Sequence, residues 1–301
     1  MEYIQEANME VTNVKDMDFI KEAQQKQTVL CSRALIYEKG TGLHFNLGSY
    51  KAVMPTEEVS YSPGNEAIKE AAIVTRINKK VCFVVTGTHH SKGLTTVYIS
   101  RKKLQKKVYE EYLSKLRPGD VIPCTVTKVD SFGVFCDVGC GITALLPIDF
   151  ISVSRISSPA DRFYAGQNIY ACIKNTDENG RIVLSHKELL GTWQENADRF
   201  SPQSTVTGIV RSVESYGVFV ELAPNLAGLA EPCEGVCEGD TVNVFIKSII
   251  PGKMKIKLVI MDIVNNCAAD TGIDYFITEG HISRWDYSTP GCHKQIYTEF
   301  D

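Results

Sequence analysis

The sequence predicts an all-β protein of tandem five-stranded barrels joined by short helices. Three observations carry that expectation: an internal repeat, short strand-like runs punctuated by glycine and turn signals, and the composition of an ordinary globular chain. The repeat reads Val126-Thr-Lys-Val-Asp-Ser-Phe-Gly-Val-Phe135 and returns as Val210-Arg-Ser-Val-Glu-Ser-Tyr-Gly-Val-Phe219, with six of ten positions identical. Self-similarity of this kind marks a repeated structural unit. Each copy alternates apolar and polar residues, breaks at a glycine and resumes as Phe135-Cys-Asp-Val138 or Phe219-Val-Glu-Leu222, as two strands of a curved sheet do. At 301 residues and 44% hydrophobic, the chain has room for two or three domains.

In chain order, residues 1–26 read as an N-terminal arm holding six acids against three lysines. Its start, Met1 to Thr12, is acidic and does not read as a secretory leader, lacking a basic stretch followed by an apolar core. Residues 27–102 read as a degenerate copy, in which Gly42 to Gly48 matches the glycine-centred strand and Ala52-Val-Met-Pro55 matches Ala144-Leu-Leu-Pro147. A basic linker helix over 103–117 stops at Pro118, where a helix cannot easily continue.

The clearest copy spans 118–188. A strand over Ile169 to Ile173 follows Gly166-Gln167, and the tight-turn signal Asp177-Glu-Asn-Gly180 leads into Arg181-Ile-Val-Leu-Ser185. A second linker helix, 189–203, precedes the last copy, 204–262, where Gly239-Asp240 opens the strand Val242 to Ile246. Five short strands per copy fit the Greek-key barrel of the OB-fold. The segment 263–301 carries Tyr275, Phe276, Trp285, Tyr287, Tyr297 and Phe300, too many aromatics for a solvated tail, and is expected to pack as a C-terminal appendage.

Two rings three residues apart, with a glycine-assisted bend between them, can share one face of a barrel and stack on bases. Phe132 with Phe135 and Tyr216 with Phe219 have that spacing. A lone phenylalanine is ordinarily core; repetition of the pair favours at least one surface ring per copy.

These residues resemble the S-one RNA-binding domain, the repeat of the largest small-subunit ribosomal protein that polynucleotide phosphorylase also carries. The likeness rests on Val126 to Phe135, Gly139 to Pro147 and Asp177-x-x-Gly180-Arg181-x-x-Leu184-Ser185-x-Lys187. It implies OB-fold barrels of the S-one type, binding of single-stranded RNA (messenger or ribosomal) and a place near translation, with ribosomal proteins as further partners. It also implies site residues: Phe132, Phe135, Asp177 and Arg181 match in the middle copy. In the last copy Tyr216 and Phe219 match, and Lys255 replaces the arginine. The family histidine is absent, its positions being Pro147 and Glu231, and the first copy has Thr41 and His44 where the rings belong. By this comparison the middle copy is the stronger binder.

Phosphate-neutralising candidates are Lys128, Arg181 and Lys187 in the middle copy and Arg211, Lys247, Lys253, Lys255 and Lys257 in the last. The net charge of −4 gives no global attraction for a polyanion, so any electrostatic footprint is local. From Arg101 to Arg117 seven cations face Glu110 and Glu111, and Lys102, Lys103, Lys106 and Lys107 form a helical stripe.

No phosphate loop, dinucleotide fingerprint, nucleophile elbow or zinc-hydrolase helix occurs, so the chain reads as a binder with no enzyme activity and no cofactor. Apolar runs such as Val81 to Val85 are too short to cross a bilayer, which points to a cytoplasmic protein without a membrane partner. Ten scattered cysteines suit a reducing compartment. The pairs Cys136/Cys140 and Cys233/Cys237 leave a zinc or redox sensor as one alternative, although structural zinc usually takes two close pairs or added histidines, so no metal is expected. The other alternative is a protein-interaction adaptor, favoured by the missing histidine and by the lack of net basicity.

Overall fold

The structure, a computed structural model, describes residues 4–63, 68–91, 93–264 and 273–300. Its strands close three barrels. The first contains β1 (Leu30–Glu38), β2 (Gly42–Leu47), β3 (Tyr50–Met54), β4 (Lys80–Ser91) and β5 (Leu94–Ser100). The middle barrel contains β6 (Val121–Asp130), β7 (Gly133–Asp137), β8 (Thr143–Pro147), β9 (Asn168–Thr176) and β10 (Ile182–Ser185). The third contains β11 (Thr205–Glu214), β12 (Gly217–Ala223), β13 (Leu226–Ala230), β14 (Thr241–Ile250) and β15 (Lys255–Ile263). Each is a five-stranded OB-type barrel in which the third strand pairs in parallel with the fifth, as in Val53 with Tyr98, Leu145 with Val183 and Leu229 with Lys257. Contacts divide the chain into two units, one of 1–116, 136–144 and 176–182, the other of 117–135, 145–175 and 183–301.

Local sequence explains the shared pattern. The glycine that opens the second strand has φ +127 at Gly42, +158 at Gly133 and +155 at Gly217. A Cβ there would stand 2.0 Å from the Met54 carbonyl oxygen, and 2.4 Å from those of Leu146 and Ala230 respectively. Glycine is therefore required by the close approach of the next strand as well as by the backbone angle. The first strand of the outer barrels bulges at matching places, between Ala34 and Ile36 and between Val210 and Ser212, where it passes from one partner strand to another.

In the first unit the N-terminal residues, expected as an arm, are bound to the barrel. Asp16 caps α1 (Met17–Lys26) by accepting the Phe19 amide at 2.8 Å, and Ile20 and Ala23 of that helix lie in the core. Glu6 is buried against Arg101, which donates from Nε at 2.7 Å and from Nη2 at 3.1 Å. Burial alone would raise the Glu6 carboxyl; Arg101 and Arg76 outweigh it and hold it below its ordinary value. Arg101 also donates to the carbonyls of Val59 at 3.1 Å and Gly141 at 2.8 Å. Counted in the sequence as part of a basic surface, Arg101 is a fully buried clamp. Asp137, accepting the amides of Glu6, Gly139 and Gly141, is pushed up to about 6 by burial and by the neighbouring Glu6 charge.

The connectors are shorter than their sequence suggests. After the short helix α2 (Glu70–Val74) within the first barrel, α3 spans Arg101–Glu111 and a 3-10 turn follows at Leu113–Lys115. The second connector is a 3-10 turn, Lys187–Leu190, then α4 (Trp193–Ala197), with a capping box between Thr192 and Glu195. Trp193 anchors it in the second unit's core.

Of the appendage, 265–272 and 301 lie outside the described residues. The rest forms β16 (Arg284–Asp286) and β17 (Tyr297–Glu299) and buries Trp285, Tyr287 and Phe300 in the same core as the third barrel. Buried His186 meets the Ile151 carbonyl oxygen at 2.8 Å through Nδ1 and the Tyr275 hydroxyl at 3.0 Å through Nε2. A carbonyl can only accept, so Nδ1 carries the proton and Nε2 takes the Tyr275 hydroxyl. Burial pushes this imidazole down to about 4, so it is neutral at physiological pH.

Candidate nucleic-acid interface

Both ring pairs stand at the surface end of a bent strand pair. Phe132 and Tyr216 are 52% and 64% exposed, while Phe135 and Phe219 are half-buried. The rings of each pair meet edge to face, with centroids 5.9 Å apart at 85° for Phe132–Phe135 and 6.2 Å apart at 88° for Tyr216–Phe219. One open face and one perpendicular edge can receive a base, stacked on the first ring and bounded by the second.

The cations around the middle pair are largely engaged. Lys128 pairs with Asp130 at 2.7 Å, and the Lys187 ammonium lies 5.1 Å from the Phe150 ring centroid. Asp177 braces its own turn: its Oδ1 accepts the amides of Asn179 at 2.9 Å and Arg181 at 2.8 Å, in the manner of an Asx turn. Arg181 is exposed at the foot of that turn. On the outer surface, Leu145 faces Val183 across the parallel pairing, so this part of the face is apolar.

The third barrel differs. Tyr216 and Phe219 open onto a cleft of about 1160 Å³, which also takes in Lys247, Lys253, Lys255 and Lys257. Lys253, Lys255 and Lys257 are exposed and have no ion pair among the described residues, whereas Lys247 pairs with Glu231 at 3.1 Å. Arg211, expected from sequence as a phosphate contact, lines the cleft but is already committed. It donates to both carboxylate oxygens of buried Glu221, at 3.0 and 3.1 Å, and stands 3.6 Å from Asp161. Arg162 closes on the same carboxylate. Two guanidinium groups and two carboxylates balance, which makes Arg211 a structural clamp.

Strand register lets the outer barrels be compared residue by residue. In the third barrel one lateral row runs Ser212, Phe219, Leu229, Lys257 and Ser248. The same row in the first barrel is Ile36, His44, Val53, Tyr98 and Gly87. A histidine 3.1 Å from Glu38 thus replaces the inner ring, and a tyrosine replaces the lysine.

The cleft has two cations that sequence reasoning missed, Arg155 in the excursion between β8 and β9 and Lys294 in the C-terminal appendage. No periodicity points to them. For the alternative of a zinc or redox sensor, no group of three potential ligands occurs among the described residues, and Cys136 and Cys140 are buried thiols. His281 is joined in the fold to Asp120, 161 residues away, at 2.7 Å.

Residues 115–187 match the family described as the S1 RNA binding domain. Among curated proteins, the small ribosomal subunit protein bS1 of Leuconostoc lactis is 35% identical over 161 residues, covering 49% of this chain and 37% of that protein. The bS1 homolog of Bacillus subtilis (strain 168) is 30% identical over 174 residues, 54% of this chain and 45% of that protein. The match therefore spans less than half the length of these relatives. A solved multidomain protein with nucleic acid binding domains from Streptococcus pneumoniae TIGR4 aligns with 78% of this chain and 73% of its own, at 14% identity and a TM-score of 0.26. The middle barrel is an S1-type domain, in agreement with the resemblance read from its residues.

Proposed function

We propose that this chain, with an S1-type domain at its centre, binds single-stranded RNA without turnover in the cytoplasm, in association with ribosomes or translation. The observation that carries the reading is the third-barrel cleft, where a perpendicular ring pair and three unpaired lysines face one space. Stacking on rings tolerates any base, and lysines along the groove track the phosphates, so the cleft suits a strand rather than a duplex. The middle barrel is a second, weaker site. It keeps more of the family residues, but Lys128 is paired, Lys187 lies over a ring and its outer row is apolar at Val183. The order expected from sequence alone is thereby reversed.

The test is anisotropy titration of a labelled single-stranded RNA with the full chain and with Tyr216→Ala/Phe219→Ala. The expected loss is about 1–3 kcal/mol per stacked base. Unchanged affinity would remove the cleft as the site.

One observation favours a different use of the first barrel. Its row exposes Ile36 and Tyr98 and offers neither ring pair nor lysine, a surface suited to a protein partner. Ile36→Ser/Tyr98→Ala is expected to keep RNA affinity and to weaken co-sedimentation with ribosomal subunits; lost RNA affinity instead would refute this use.

A further inference from the structure

We infer that the third-barrel cleft accepts a single RNA strand longer than the barrel face can cover, its overhanging phosphates held by Arg155 and Lys294. This rests on the reading of the cleft as an RNA site and assigns its outer walls. Both side chains line the same cleft as Tyr216 and Phe219, yet neither belongs to the barrel. Arg155 comes from the excursion between β8 and β9, and Lys294 from the loop between β16 and β17.

Both walls are built rather than loose. The Val153 amide donates to the Asn225 side-chain oxygen at 2.9 Å and the Ser154 amide to the Pro224 carbonyl at 3.3 Å, which fixes the backbone just before Arg155. In the segment that carries Lys294, the Ser288 hydroxyl donates to the Lys294 carbonyl at 2.8 Å and accepts the Ile296 amide at 2.8 Å, closing the loop on itself. The Thr289 hydroxyl then ties this loop to the Pro251 carbonyl at 2.6 Å, at the turn that carries Lys253.

Charge completes the argument. Arg155 and Lys294 are exposed and neither has an ion pair among the described residues. The acids of the cleft are Glu231, held by Lys247, and Glu214 beside Tyr216. Two unneutralised cations from two separate non-barrel segments, lining a cleft with a stacking platform, offer phosphate contacts beyond those of the barrel's own lysines.

The experiment titrates the full chain with single-stranded RNAs of about 4 and about 16 nucleotides, the limits of OB-fold site sizes. Arg155→Glu/Lys294→Glu and Tyr216→Ala/Phe219→Ala are compared with the unsubstituted chain, with melting temperature as a folding control. The charge reversal is expected to weaken the longer RNA about tenfold, to leave the shorter one within about twofold, and to lower the log-log salt slope for the longer RNA by about 1.4, two phosphates at about 0.7 each. The ring variant is expected to weaken both RNAs. If the ring variant weakens both while the charge reversal changes neither or changes both equally, the walls are not part of the site and the inference is wrong, although the cleft remains one. If the ring variant changes neither, the reading of the cleft as an RNA site fails first and the inference falls with it. Displacement of the longer RNA from the unsubstituted chain by an acidic peptide of equal charge would point to a polyanionic protein ligand and would equally overturn it.

Discussion

Asn225 and Val153 lie 72 residues apart, and the side-chain oxygen of the first accepts the backbone amide of the second at 2.9 Å. The same buried side chain donates to the carbonyls of Lys187 at 2.7 Å and Gly191 at 2.9 Å, and the Asn225 carbonyl accepts the Tyr287 hydroxyl. One asparagine therefore gathers the middle-barrel excursion, the second connector and the appendage around the β12–β13 turn.

Asn225→Ala would leave the buried Gly191 carbonyl and the partly buried Val153 amide and Lys187 carbonyl without this partner. At about 1–3 kcal/mol for a buried unsatisfied group, with water reaching the partly buried ones, the expected loss is about 2 kcal/mol. A urea melt of the full chain checks it; a midpoint shift no larger than that of a surface substitution would contradict the hub.

Arg211 and Lys255, both candidates from sequence, should separate cleanly. Arg211→Ala leaves Glu221 buried with one partner fewer and is expected to cost about 3 kcal/mol or more of stability, the order found when a buried ion pair loses one member. Lys255→Ala is expected to leave the melt unchanged and to weaken RNA. Differential scanning calorimetry beside an RNA titration reads both, and the reverse pattern would return Arg211 to the phosphate contacts.

Replacing Lys253, Lys255 and Lys257 together with Gln is expected to flatten the salt dependence of RNA affinity by a log-log slope of about 2, from about 0.7 per lost phosphate contact. Titrations across a salt series measure the slope. An unchanged slope would place the phosphates elsewhere, for instance on the lysine stripe of α3.

His186 makes stability depend on acid. Its folded-state value of about 4 lies below the ordinary 6.5, so the folded chain binds fewer protons than the unfolded chain between those limits. Stability from this group is therefore complete above pH 6.5 and is lost as pH falls toward 4, by up to about 3 kcal/mol. Asp137, raised to about 6, acts in the opposite sense, its destabilisation growing as pH rises from its ordinary value to 6. The difference between wild type and His186→Gln across that range isolates the imidazole, and parallel curves would show that it does not govern the acid limb.

Ala replacement of both rings is expected to cost more RNA affinity at Tyr216/Phe219 than at Phe132/Phe135, with little change in melting for the exposed member of each pair. Parallel titrations of the two double variants decide the order. A larger loss at the middle barrel would restore the ranking that family likeness alone suggests.

What the sequence made legible is what depends on neighbours along the chain. The glycine between the rings, the alternation of β7 and β12 and the Asp177 turn are local, and each barrel followed from them. Arg101 and Arg211 were misread because a cation's role is set by its partner, and Glu6 and Glu221 reach them only through the fold. The His281–Asp120 contact, 161 residues apart, and the walls at Arg155 and Lys294 likewise have no trace in spacing. The connectors came out short because Trp193 and Leu189 are drawn into a core, which overrides helical propensity.

The shared register row has a consequence for how such a chain diversifies. Core and display are written in separate strand positions: Val218 and Val220 hold the interior while Phe219 between them stands half-buried on the proposed RNA face, and Leu43 and Phe45 flank His44 in the same way. A duplicated barrel can thus exchange one vocabulary of contacts for another at a handful of sites and still fold. In this molecule Thr41, His44 and Tyr98 are the places where a lost dialect would be rewritten as tyrosine, phenylalanine and lysine.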